Sequence, residues 1–131
     1  MAIYKTRWFD RWARKEGLGD TRLVAAIDEM SRGLVDAFLG SGLVKKRIGR
    51  PGHGKSGSFR TLVATNQGDR WMFVFGFPKN ERDNIEPDEV EALKKLAIHL
   101  LSLSAEDVDT AQRAGELVEV QGDAQDEIPH P

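Results

Sequence analysis

The stretch LVKKRIGRPGHGKSGSFR, residues 43–60, decides how the rest of the chain is read. It carries six cations, Lys45, Lys46, Arg47, Arg50, Lys55 and Arg60, with His53 among them and no carboxylate. Its ends, LVKKRI and the SFR that runs on into TLVAT, are β-prone; Gly49, Pro51, Gly52, Gly54 and Gly57 break the chain between them. The pattern predicts two antiparallel strands joined by a long cationic loop. Six like charges in one hairpin repel each other, so the arrangement predicts an anionic partner, with nucleic-acid phosphate as the expected one.

Side-chain alternation puts Lys45 and Arg47 on one face of the first strand and Val44, Lys46 and Ile48 on the other. Lys46 is therefore out of place among apolar neighbours unless the strand bends. In the second strand Arg60 shares a side with Leu62 and Ala64. A cation inside an apolar strand needs a partner, because an unpaired buried charge is costly. Two partners are open for Arg60: a bound phosphate, or an internal ion pair with Glu81.

Beyond the hairpin, NQGD (66–69) is a turn and RWMFVFGF (70–77) is a nearly continuous apolar run, the signature of a central strand buried on both faces. Pro87, just after Glu86, opens a helix whose apolar stripe is Val90, Leu93, Leu96, Ala97, Leu100 and Leu101. Ser104 starts a capping pattern for a short helix to about Ala114, and LVEV (117–120) is a short strand. Upstream, IYKT (3–6) is β-prone. Trp8, Phe9, Trp12 and Ala13 recur at helical spacing up to Gly17, with Trp8 and Trp12 read as core. Asp20 or Thr21 is the expected N-cap of a second helix with the stripe Leu23, Val24, Ile27, Met30. Residues 35–42 read as a loop with apolar anchors.

The expected fold is α+β: a small antiparallel sheet, made of a short N-terminal strand plus a three-strand meander, packed against an N-terminal helical hairpin, with a C-terminal helix. The main domain is expected over 1–103, a helix and strand extension over 104–120, and a disordered acidic tail over 121–131.

The formal net charge of −2 conceals an asymmetry. Residues 1–82 hold 16 Lys and Arg against 8 Asp and Glu; residues 83–131 hold 3 against 13. A basic body with an acidic end fits a polyanion partner, or a chain that neutralises itself. With no Cys there is no disulfide frame and no thiolate metal site. His53, His99 and His130 are too scattered for a metal site, so neither metal nor cofactor is expected. No apolar run is long enough to span a membrane and no signal peptide is evident, so the expected location is the cytoplasm. Gly52-His53-Gly54-Lys55-Ser56 superficially resembles a phosphate-binding P-loop, but the upstream glycine is misplaced and a strand follows instead of a helix.

Three segments carry a family resemblance: Lys45-Lys46-Arg47; Gly54-Lys55-Ser56-Gly57-Ser58-Phe59-Arg60-Thr61; and Phe75-Gly76-Phe77-Pro78-Lys79-Asn80-Glu81-Arg82-Asp83-Asn84-Ile85. Together with the element order over about residues 3–101, they resemble the RelE/ParE toxin superfamily, in particular its RelE/HigB-type branch. The resemblance implies a toxin of a type II toxin–antitoxin system that cleaves mRNA on the ribosome and inhibits translation, without a metal. Its partners would be mRNA, the ribosome and a cognate antitoxin of helix-turn-helix type.

By the same resemblance Arg60, Lys46 and Arg82 are candidate catalytic residues, with His53 as a possible acid or base. Lys45, Arg47, Arg50, Lys55 and Lys79 are candidate RNA contacts. Some members of the family carry a Tyr a few residues after the Lys-x-Glu-Arg segment, where this chain reads Asn84-Ile85-Glu86-Pro87. The general base is therefore open between His53, Lys46 and Glu86. Two alternatives stand beside the nuclease: a non-catalytic module of the same fold that binds RNA or antitoxin, and a ParE-like toxin directed at DNA gyrase.

Overall fold

The computed structural model describes residues 1–50 and 57–121. His53, Lys55 and the expected acidic tail from residue 122 onward lie outside them. The elements run β1 (Ala2–Thr6), α1 (Arg7–Glu16), α2 (Asp20–Ser31), β2 (Ala37–Gly40), β3 (Leu43–Ile48), β4 (Phe59–Thr65), β5 (Arg70–Pro78), α3 (Pro87–Ser102), α4 (Ala105–Arg113) and β6 (Leu117–Glu119). The α+β class, the helical hairpin, the meander β3–β4–β5 and the C-terminal helix are all present.

The sheet is larger than its sequence pattern announces. Its six strands lie in the order β2-β3-β4-β5-β1-β6. β1 runs parallel to β5, while every other neighbour is antiparallel, so the sheet is mixed. One strand comes from an unexpected place, and the expected strand near the C-terminus joins the same sheet. Residues 37–40, read as loop, pair with β3, reversing through Ser41 (φ 59) and Gly42 (φ 81). Successive left-handed residues make the tight reversal that suits hairpin twist. The short run at 117–119 adds β6 to the free edge of β1.

Helices cover both faces. On one, Phe9 and Ala13 of α1 and Leu23, Ile27 and Met30 of α2 bury Val44, Ile48, Phe59, Val63, Trp71 and Phe73. On the other, Ala97 and Leu100 of α3 and Val108 of α4 bury Leu43, Leu62, Ala64, Met72 and Phe77. This is why RWMFVFGF is apolar at almost every position. Between Leu62↔Phe75 and Val63↔Phe73 the register slips, leaving Val74 as the extra residue of a β-bulge. Val74 and Phe75 consequently both pack on the α3 side, and Phe77 arrives there too, opposite Arg60.

Local chemistry sets the helix ends. Thr6 Oγ1 accepts from Phe9 N at 3.2 Å, and Gly17 closes α1 in the left-handed region at φ 73. Gly19, not Asp20 or Thr21, is the N-cap of α2. Asp20 is spent elsewhere: its carboxylate accepts from Lys5 Nζ and from Gln121 N, each at 2.8 Å, tying β1, α2 and the end of β6 together. Gly76 lets α1 lie close to the sheet, because a Cβ there would sit 2.5 Å from the Trp12 ring. Trp12 packs against the core as expected, but Trp8 is 47% exposed, stacked on Phe75 at 4.8 Å. Among the described residues no helix is long and apolar enough to cross a membrane.

Candidate functional site

Lys45 and Arg47 of β3 and Arg60 of β4 project from one face of the sheet into a cavity of about 280 Å³, whose other walls are Asp36, Ala37, Asp83 and Asn84. Arg47 and Arg60 are directly opposed in the strand register. Like charges placed so are destabilising, and little offsets them. Arg60 Nη1 donates to Ser58 Oγ at 2.8 Å, Lys45 Nζ to Asn84 Oδ1 at 3.3 Å, and Arg47 uses its backbone N to reach Asp36 Oδ2 at 2.6 Å. None of the three cations has an ion-pair partner among the described residues.

The electrostatics point the same way. Burial, then the neighbouring Arg47, push the Arg60 pKa down, while Asp36 and Asp83 pull it back up. A guanidinium stays charged regardless. The cavity therefore holds a net positive charge, three cations against the two carboxylates of Asp36 and Asp83, with planar forks suited to phosphate oxygens. The internal alternative for Arg60 does not form: its partner is the Ser58 hydroxyl, not Glu81.

Other residues singled out in the sequence go elsewhere. Lys46, a catalytic candidate, points to the helical-hairpin face. There it is 7% exposed, paired with Glu29 Oε1 at 2.7 Å and donating to Leu34 O at 2.9 Å. A partner on α2, which no local pattern announces, explains how a lysine fits between Val44 and Ile48. Arg50 lies on that same side, over the Phe59 ring at 5.2 Å and 3.9 Å from Glu16. Arg82 pairs both of its terminal nitrogens with the two carboxylate oxygens of Glu89, each at 3.0 Å. Lys79 follows β5 beside Ser58, to whose carbonyl its backbone N donates at 3.0 Å. Glu86, a candidate base, is the N-cap of α3. The one tyrosine, Tyr4, lies on β1 opposite Met72 and Glu119, remote from Arg60.

The structure adds Ser58, Asp36, Asp83 and Asn84 to the site. Asp83 and Asn84 stand inside the motif-bearing segment and were legible there as polar residues next to Arg82. Asp36 was not, since it sits in the stretch read as loop. A larger hollow of about 680 Å³ opens between α3, α4, Trp8 and Phe75. It is mostly apolar, and none of Lys45, Arg47 and Arg60 lines it. No cluster of three or more metal-binding side chains occurs among the described residues.

Compared with known proteins, residues 1–120 match the family model described as RelE toxin of the RelE / RelB toxin-antitoxin system. No curated protein matches the chain.

Proposed function

This chain belongs to the RelE toxin family, and from that premise we propose that it is a metal-independent endoribonuclease that cuts translated mRNA at the ribosome, in the cytoplasm, and so inhibits translation. The observation that carries the reading is the cavity in which Lys45, Arg47 and Arg60 converge in excess over its two carboxylates, Asp36 and Asp83, neither of which forms a salt bridge with them. In the proposed reaction a ribose 2′ oxygen attacks the adjacent phosphorus and its proton passes to a base. The bond from phosphorus to the 5′ oxygen breaks, that oxygen takes up a proton, and a 2′,3′-cyclic phosphate remains. Arg60 and Arg47 stabilise the charge that grows on the phosphorane, and Lys45 positions the phosphate. Lys46 and Glu86 are engaged elsewhere, which leaves His53, among the sequence's candidates, for the base. The antitoxin that the family implies is proposed to be a helix-turn-helix protein whose acidic surface covers the same cations.

The test is to incubate purified protein with translating ribosomes and map mRNA 5′ ends. New ends with the wild type, reduced on the order of a hundredfold by Arg60→Ala, support the nuclease; no new ends reject it. A second reading, a RelE-fold module that binds RNA or antitoxin without cutting, is favoured by one observation: neither Lys46 nor Glu86 reaches the cavity. That reading expects Arg60-dependent RNA binding without new ends. A gyrase-directed toxin would instead produce DNA damage on expression.

A further inference from the structure

We propose that Arg82 and Glu89 are a positioning clamp for the cationic cavity: they hold its Asp83–Asn84 wall against Lys45 and Arg60 and do not themselves touch RNA. This rests on the reading that the cavity receives RNA phosphate.

The bidentate edge of Arg82 is already taken. Its Nη1 and Nη2 take Glu89 Oε1 and Oε2, each at 3.0 Å, the bidentate geometry a phosphate would use. Its guanidinium lies over the Phe77 ring at 4.6 Å and near Phe75 at 5.5 Å. Phe77 is the cross-strand neighbour of Arg60. Glu89 is itself fixed, for Oε1 also accepts from Glu86 N at 2.9 Å, at the start of α3. A phosphate that took Arg82 would strip that carboxylate of its partner and leave its charge in place.

The two residues after Arg82 are the ones that face the cavity. Asn84 Oδ1 accepts from Lys45 Nζ at 3.3 Å and from Ile85 N at 2.9 Å. One connected path therefore runs from the first turn of α3 through Glu89 and Arg82 to Asp83, Asn84 and Lys45. Among the described residues the Arg60 guanidinium, by contrast, has a hydroxyl as its one hydrogen-bond partner. Two arginines that look equivalent in the sequence thus have different work: Arg60 faces the anion and Arg82 holds the wall.

The sign of one substitution separates the ideas. Glu89→Gln removes a negative charge near the site yet keeps an acceptor for Glu86 N. If Glu89 merely competed with RNA for Arg82, the variant would bind a short single-stranded RNA more tightly. The clamp predicts the reverse: affinity falls roughly fivefold, Arg82→Lys falls alike, and Glu89→Gln/Arg82→Lys is no worse than either single change. Hydrogen exchange of the full chain gives a readout independent of RNA, with faster amide exchange expected over residues 83–86 in Glu89→Gln. Tighter or unchanged RNA binding by Glu89→Gln, additive losses, or unchanged exchange at 83–86 would each overturn the clamp. Wild-type protein whose RNA binding does not depend on Arg60 would instead overturn the RNA reading, even with the exchange result intact.

Discussion

Arg47 and Arg60 oppose each other across β3 and β4, and among the described residues neither forms a salt bridge, an arrangement that costs folding energy and is tolerated where an anion is to be bound. Arg60→Ala should therefore abolish most RNA binding while leaving the melting temperature unchanged or raised. A clear drop in melting temperature would mean that Arg60 is structural. Lys46 makes the opposite case. Glu29→Ala should destabilise by about 1–3 kcal/mol, because it strands a buried ammonium that retains only the Leu34 carbonyl. Lys46→Met should cost less than Glu29→Ala, since it removes the charge that needs the partner. Chemical denaturation of both variants checks the order. RNA affinity should be unchanged in Lys46→Met, and a tenfold loss with an intact fold would return Lys46 to the site.

At the scale of elements, two joints carry the geometry. The first is the contact of α1 with β5, where Trp12 lies on Gly76. Gly76→Ala puts a methyl group 2.5 Å from the indole, and the ring is too firmly packed to yield freely. A loss of roughly 1–3 kcal/mol is expected in denaturant titration; a neutral result would show that α1 can shift. The second joint is the start of α3. The hydrogen bond from Arg82, then that from Glu86 N, hold the Glu89 carboxyl below its ordinary pKa. A depressed carboxyl stabilises the folded state above its unfolded pKa and loses that contribution as pH falls through the folded one. The stability difference between wild type and Glu89→Gln should accordingly persist at pH 6, begin to shrink as pH drops below about 4 and go on falling through the depressed folded pKa. A difference that stays constant down to pH 3 would argue against the charged pair.

For the whole molecule the decisive feature is a separation of charge by face. Lys46 and Arg50 stay with the helical hairpin; Lys45, Arg47 and Arg60 gather on the α3 side. The number of phosphates engaged is then smaller than the basic composition implies. If three cations meet single-stranded RNA, log K should fall with log[salt] with a slope of about −2. Measured binding between low and moderate salt tests this. A slope near −4 would bring in further cations, with Lys79 and the residues 51–56 as the first to examine.

Much of the architecture followed from pattern alone. The 3.6-residue stripes of α1, α2 and α3, the two-residue alternation of β3 and β4, and the doubly apolar β5 are periodicities that burial imposes on any sequence forming them. Lys45 and Arg47 on one face and Lys46 on the other follow from the same alternation. Arg60 was legible as a cation out of place in an apolar strand. What local pattern could not supply was anything set by meetings across the chain. The β2 strand needed β3 to pair with, β6 needed the open edge of β1, and Lys46 needed Glu29 brought up by α2. Arg82 reads like Arg60 in the motif, yet Glu89 reaches it once α3 folds back beside the sheet. Periodicity records which face of an element is buried. Which charge meets which partner depends on long-range contacts, and it was the tertiary structure that decided it.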